Sequence, residues 1–464
     1  MSRPFVESPG TLRPMLVLTA PVLAEQVLHL LVGLVDMWLT GNLLTDNAYV
    51  AAMTLMIYAL WLIGNSFSFV AVGSTAMIAR FVGAGDRGFA NRVMNQSLTT
   101  GLVWSGLLMA AALPLAEFFP ALMGLDGQAA EAAARYLIIE LCVLPAVMVE
   151  RVGIACLRGA GDMKSGLVVM AIVNFINMIT SYALAAGLGP LPELGWTGIA
   201  LGTAIGHVCG AVILLALLAC GRAGFHLRLA DMRPDFRLIR RLLKIGVPGG
   251  IDVVLVSICH MIYLRIILSL GDVPAAAHGV AIQVEALGYM PGGAFQISAA
   301  TMAGQYLGAR DLVRARHSTI MACLVASGLM AVAGLCFYLA ATPLASFFLG
   351  GRPGEVVPLA ASLLRIIAYA MVPLALMMVL IGALRGAGDT RWPLVLNLLG
   401  VVFVRVPLAI YLAYDQISLP LVGTFAGAGL GVVGAWYGAV ADIVLRCFLL
   451  IARFRHEGWQ KIEL

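Results

Sequence analysis

The hexapeptide Leu157-Arg158-Gly159-Ala160-Gly161-Asp162 returns as Leu384-Arg385-Gly386-Ala387-Gly388-Asp389, 227 residues further along. Each copy lies between long apolar runs, and chance does not readily repeat six specified residues in the same setting. The chain therefore reads as two homologous halves. The same offset carries Pro21 onto Pro248 and Glu25 onto Asp252, so each half contains Pro-x-x-x-acid in its first apolar run. With a slip of two residues, Val82-Gly83-Ala84-Gly85-Asp86 falls on Leu307-Gly308-Ala309-Arg310-Asp311. Three markers in one order define a repeat, with an N-lobe over 1–227 and a C-lobe over 228–464.

Composition names the solvent. Hydrophobic residues make up 61% of the chain and charged residues 11%, and the mean hydropathy is +0.97, far from the range of soluble domains. A helix needs about 20 apolar residues to cross the hydrocarbon core. Twelve stretches qualify: 14–39, 50–78, 93–116, 133–156, 166–188 and 196–219, then 242–269, 277–302, 318–342, 359–383, 393–413 and 429–451. The expectation is an all-α membrane protein of twelve transmembrane helices in two pseudo-symmetric six-helix lobes. The first run holds Glu25 and Asp36 and lacks a small-residue cleavage site, so it is expected to stay as a span rather than act as a signal peptide.

Orientation follows from Lys and Arg in alternate loops. One set carries Arg80, Arg87, Arg92, Arg158, Lys164, the run from Arg222 to Lys244, Arg310, Arg314, Arg316, Arg385, Arg391 and the C-terminal tail. The opposite set carries Asp46, Glu117, Asp126, Glu193, Asp272, Glu355 and Asp415, with Arg352 as its one clear base. Both termini are expected in the cytoplasm, in a cell (inner) membrane. Six spans per half makes the repeats parallel in topology, joined by the arginine-rich link from Arg222 to Lys244.

The net charge of +5 is accounted for by this bias and by anionic lipid head groups, so no nucleic-acid partner is expected. The eight cysteines contain no Cys-x-x-Cys pair and read as small buried hydrophobes. The chain has no Walker-type Gly-x-x-x-x-Gly-Lys-Ser/Thr, no Gly-x-Ser-x-Gly and no His-Glu-x-x-His. No enzyme chemistry and no cofactor beyond a coupling ion are expected, and the energy for pumping must come from a gradient.

The informative residues are then ionisable or polar groups inside spans, where an unpaired charge is costly. In the first span Glu25, His29 and Asp36 sit at about 0°, 40° and 20° around the axis and share one stripe. That stripe reads either as internal pairing, His29 to Glu25 with Asp36 as a solvated outer cap, or as a row of cation or proton sites lining a wet cavity. In the fifth span Asn174, Asn177 and Ser181 share a face, and Thr203 and His207 follow in the sixth. These serve equally as interhelical glue or as neutral oxygen ligands for a small hard cation. The second half supplies Asp252 and His260, Gln283 and Glu285, and Arg405 with Asp442, the last two expected to pair with charged neighbours. The Gly-Ala-Gly-Asp copies read as tight turns whose Asp caps the next helix.

The paired hexapeptide, Pro21…Val35-Asp36-Met37-Trp38…Gly41, Gly73-Ser74-Thr75 and Pro291-Gly292-Gly293…Gly304-Gln305 together resemble the multidrug and toxic compound extrusion (MATE) family over nearly the whole chain. The resemblance implies a secondary antiporter that exports small-molecule amphiphilic organic cations in exchange for H⁺ or Na⁺ by alternating access. It implies that Asp36 is an essential coupling residue. Aligned through Gly187-Leu188-Gly189-Pro190 and Pro192-Glu193-Leu194-Gly195, the family's Asn-x-x-x-Asp and Thr fall on Asn177, Ser181 and Thr203. Ser181 thus replaces an acid, which weakens a possible Na⁺ site held by Asp36 and Asn177. Protonation of Asp36 alone is the alternative, because burial disfavours the charged form of a carboxyl, so the missing acid is expected either to shift coupling toward H⁺ or to weaken Na⁺ dependence.

Glu25, His29, Asn174, Asp252, His260, Gln283 and Glu285 are the candidate substrate-cavity residues, and a monomer is expected. The alternative is a flippase or exporter of a lipid-linked or amphiphilic metabolite. Such a protein would line its cavity with basic residues, whereas arginine inside the spans is limited to Arg265, Arg365 and Arg405 plus residues at the edges.

Overall fold

The computed structural model describes residues 10–44, 46–349, 354–419 and 423–462, so Arg352 lies outside the described residues. The first half forms α1 (Leu12–Leu43), α2 (Asn47–Ser66), α3 (Ser68–Gly83), α4 (Arg87–Ala112), α5 (Phe119–Leu122), α6 (Gly127–Cys142), α7 (Leu144–Gly159), α8 (Met163–Ala186) and α9 (Trp196–Ala219). The second forms α10 (Phe236–Leu268), α11 (Asp272–Gly308), α12 (Leu312–Leu339), α13 (Ala341–Phe348), α14 (Val356–Gly386), α15 (Arg391–Gly400), α16 (Val406–Ala413) and α17 (Gly431–Arg455).

Twelve spans emerge once three broken ones are joined. The second is α2 with α3, bent at Phe67; the fourth is α6 with α7, bent at Val143 just before Pro145; the eleventh is α15 with α16 through a π-helical turn, Val401–Arg405. Proline lacks the N–H that would continue the ladder, and Pro145 and Pro407 each sit at the start of the new segment. Among the described residues, ten helical stretches are long and apolar enough to cross a membrane. The other two spans are the broken α6–α7 and the polar α11, which carries His278, Gln283, Glu285 and Gln305. The short α5 and α13 lie between spans, and a hairpin of β1 (Gln416–Leu419) and β2 (Gly423–Ala426) separates the last two, with Ile417 opposite Phe425.

The repeated hexapeptides form near-identical turns, with Gly161 and Gly388 both at φ +89°. That left-handed conformation is cheap only for a residue without a Cβ, which explains the second glycine of each copy. The caps that follow differ. Asp162 accepts from the Ser165 N–H at 3.1 Å and caps α8, as expected. Asp389 does not cap α15, whose N-cap is Thr390 with no side-chain bond. Its carboxylate is taken instead by Arg453 of α17, at 2.7 and 2.9 Å.

Apolar side chains gather in two cores, one per lobe, and the lobes exchange their first helices' ends. Met15, Leu18 and Val22 of α1 sit in the C-lobe core, while Leu238, Leu242 and Ile245 of α10 sit in the N-lobe core. Met15 and Leu18 fall on Leu242 and Ile245 at the repeat offset of 227, so the exchange follows the internal symmetry. Small residues let the backbones meet there, as at other membrane helix interfaces. A Cβ on Gly83 would collide with the Gln305 backbone, and one on Gly308 with the Arg80 carbonyl.

Hydrogen bonds stitch the same seam: Gln305 Nε2 donates to the Gly159 carbonyl at 2.8 Å and Thr301 Oγ1 to the Arg158 carbonyl at 3.0 Å. All of these lie at the end of the bundle that carries the arginine-rich loops. At the opposite end the pairs Gln128 with Tyr49 and Ser269 with Tyr414 stay within one lobe.

The link between lobes is fastened rather than loose. One polar face of α4 binds it: Asn91 Oδ1 accepts from the His226 N–H at 2.7 Å, Asn95 Oδ1 from the Arg228 N–H at 3.1 Å, and Gln96 Oε1 from the Asp235 N–H at 3.0 Å. This explains why polar residues are buried at the start of a membrane helix.

Candidate functional site

Four helices of the N-lobe converge on Asp36, which is 3% exposed. Its Oδ2 accepts from the Thr203 hydroxyl of α9 at 2.8 Å and from the Tyr136 hydroxyl of α6 at 2.9 Å. Its Oδ1 accepts from Asn177 Nδ2 of α8 at 3.3 Å. The same amide reaches Thr203 Oγ1 at 2.9 Å and Ser181 Oγ at 3.2 Å, and Ser181 Oγ in turn donates to the Ile199 carbonyl at 3.2 Å. Asp36, Asn177, Ser181 and Thr203 therefore form one buried cluster, the four positions on which the family resemblance places its pattern.

The chemistry of that cluster is set by which atoms point inward. Two hydroxyl protons and an amide NH₂ face one carboxylate, an arrangement that can satisfy it in the ionised form. Asn177 Oδ1 is buried and without a hydrogen-bond partner. Among the described residues no group of three or more His, Cys, Asp or Glu side chains is placed to hold a metal ion.

Ser181 owes its small size to packing. α9 presents Gly202 directly to it, leaving no room for a Cβ on the glycine, so α8 and α9 touch at this level. A hydroxyl fits there with its bond to the Ile199 carbonyl.

Glu25 and Asp252 are fully buried, and each is held by an arginine. Arg158 Nη2 donates to Glu25 at 2.8 Å and Arg385 Nη2 to Asp252 at 2.6 Å. The two acid–arginine pairs are symmetry mates at the 227 offset, and both arginines belong to the repeated hexapeptide. Each ties the helix that opens a lobe to the turn after that lobe's fourth span. Glu25 is thus bound to Arg158 and not to His29.

The remaining candidates scatter. Asn174 folds back onto its own helix, donating to the Met170 carbonyl at 2.8 Å, and does not join Asn177. His29 and Glu285 are half-buried, while His260 and Gln283 are exposed. His260 Nδ1 lies 2.9 Å from the Val256 carbonyl and its Nε2 3.4 Å from Arg405.

Arg405 and Asp442 pair as expected, at 3.0 Å, and Arg446 adds a bidentate grip on the same carboxylate at 2.6 and 2.7 Å. Through Asn397, which accepts from Arg446 at 2.9 Å and donates to Asp252 at 2.7 Å, the C-lobe network runs on to Arg385.

Sequence reasoning passed over Tyr136, Glu140 and Glu150. Glu150 Oε2 lies 2.9 Å from His207 Nδ1, and Glu140 is 3% exposed one turn beyond Tyr136. The signal was present: two acids stand inside the apolar run of the fourth span.

The MatE family model matches residues 21–183 and 248–411, two segments whose starts are 227 residues apart. A probable multidrug resistance protein NorM of Thermotoga maritima is 26% identical over 463 residues, covering 99% of this chain and 95% of that protein. A probable multidrug resistance protein YoeA of Bacillus subtilis is 24% identical, covering 98% and 96%. Among solved structures, a multidrug resistance MATE family transporter of the MOP superfamily in an outward-facing conformation superposes with a TM-score of 0.89 at 20% identity, covering 100% of this chain and 99% of that one.

Proposed function

The chain belongs to the MATE family of multidrug efflux transporters, and on that premise we propose that it is a secondary antiporter, exchanging amphiphilic organic cations for protons at Asp36. The observation that carries this reading is the buried Asp36 carboxylate with inward-facing donors from α6, α8 and α9. Proton exchange, rather than Na⁺, suits a cluster in which Ser181 stands where the family pattern has an acid, so that Asp36 supplies the only carboxylate among Asp36, Asn177, Ser181 and Thr203.

The positive-inside bias favours the arginine-rich loops and both termini in the cytoplasm, and we read the chain as a monomer of the inner membrane. The glycine seam then falls at the cytoplasmic end, and this close packing there supports an outward-facing reading. The units 1–227 and 228–464 rock against one another about that seam, which alternates access to a cavity between them. Half-buried or exposed His29, Asn174, His260, Gln283 and Glu285 offer that cavity polar contacts, and Glu285 a negative charge for a cationic substrate. Phosphate-bearing lipids would need open basic residues, whereas Arg405 and Arg446 are taken up by Asp442.

The test is efflux of a fluorescent organic cation such as ethidium from proteoliposomes, with a pH gradient or a Na⁺ gradient imposed separately. Transport driven by the pH gradient is expected. Transport driven by Na⁺ alone would contradict the choice of ion, and no transport by folded protein under either gradient would contradict antiport.

A further inference from the structure

We propose that Glu140 is a second proton-exchanging carboxylate, working beside Asp36; this deepens the antiporter reading and rests on it. The two acids differ in how they are satisfied. Asp36 receives hydrogen bonds from Tyr136, Asn177 and Thr203. Glu140 is as deeply buried, at 3% exposure, yet its Oε1 has no hydrogen-bond partner. A carboxylate oxygen buried without a donor disfavours the charged form, and a proton on the group relieves that cost.

Its surroundings select the proton. On its own helix the nearest titratable group is Tyr136, one turn back, which is already bonded to Asp36. From α1 comes Asp36 and from α9 His207, both within electrostatic reach of Glu140. From α7 come Glu150, bound to His207 at 2.9 Å, and Arg151, which acts electrostatically on His207. His29 of α1 lies within electrostatic reach of His207 and Arg151.

His207, the nearest group able to carry positive charge, gives its Nδ1 contact to Glu150 at 2.9 Å, and Arg151 acts on His207; among the described residues neither forms an ion pair with Glu140. A proton from water adds to its carboxylate and returns to water, with no other bond changed. Asp36 and Glu140 lie close enough that a charge on one raises the cost of a charge on the other, so filling and emptying of the two sites are linked.

The experiment compares infrared difference spectra of the purified full chain between acidic and alkaline buffer for wild type, Asp36→Asn and Glu140→Gln. Thermal unfolding of each is recorded, and pH-driven efflux is measured after reconstitution. Two protonated-carboxyl bands are expected, one lost in each variant, together with loss of pH-driven efflux in Glu140→Gln. The conservative Glu140→Asp should restore a band, which a purely structural role would not require.

A Glu140→Gln protein with wild-type bands and wild-type efflux would overturn the role of Glu140 and leave the antiporter reading intact. A band that responds to added Na⁺ at fixed pH, and not to pH itself, would overturn it in favour of a metal cation. A wild type that shows the Glu140 band but transports nothing under any gradient would overturn the antiporter reading alone.

Discussion

Replacing Asp36 with Asn should abolish ion-driven efflux while leaving the protein folded. The substitution keeps the shape of the side chain and removes its only exchangeable proton. Its local cost is modest, because the new amide places an NH₂ where Oδ1 or Oδ2 accepted, and the Thr203 and Tyr136 hydroxyls can rotate to other acceptors. Thr203 Oγ1 already lies 3.2 Å from the Ile199 carbonyl. The penalty is that of a perturbed buried hydrogen bond, about 1–3 kcal/mol, too little to unfold a twelve-span bundle. Efflux under a pH gradient, compared with thermal unfolding in detergent, separates the two effects. Efflux that survives in Asp36→Asn at the wild-type rate would remove Asp36 from the coupling role.

The largest loss of stability should come from Asp442→Ala, which touches no part of the Asp36 cluster. Asp442 is fully buried and holds Arg446 at 2.6 Å and Arg405 at 3.0 Å. Taking away the carboxylate leaves two buried guanidinium groups facing each other without a counter-charge. Breaking a buried ion pair by removing one partner costs about 3–5 kcal/mol, and the loss should appear as a marked fall in the thermal unfolding midpoint. Replacing Arg405, Asp442 and Arg446 together by Met, Leu and Met should recover much of it, since apolar residues of similar volume often equal or exceed a buried ionic cluster. If the single and triple variants unfold alike, the cost lies in packing and not in the stranded charges.

Much of this architecture is legible in the letters, because membrane spans are set by composition and length, and the duplication repeats them in register. The repeat offset of 227 predicts the symmetry on which Met15 and Leu242 exchange cores, although no local pattern announces the exchange. Asp36, Asn177, Ser181 and Thr203 could be named together beforehand through the family resemblance, whose pattern falls on these four polar residues inside apolar runs.

Their fifth partner was hidden. A tyrosine near the middle of α6 looks like any aromatic core residue, and only the fold carries its hydroxyl to 2.9 Å from Asp36. Glu25 and Asp252 were visible as a symmetric pair of acids, but their arginines lie 133 residues away in sequence, a distance that periodicity does not span. For the same reason Asp389 was read as a cap. Local sequence favours that role, and a tertiary contact from Arg453 prevails over it. Propensity governs a turn until a charged partner from another helix reaches it.

Antiport is most directly tested by running the exchange backward, because coupling between two ligands is reciprocal. Proteoliposomes with an entrapped pH indicator and no initial pH or Na⁺ gradient would be given a gradient of an organic cation alone. The account predicts proton movement opposite to the organic cation in wild type and none in Asp36→Asn. An organic cation that crosses through the protein while the internal pH stays constant would contradict proton-coupled exchange.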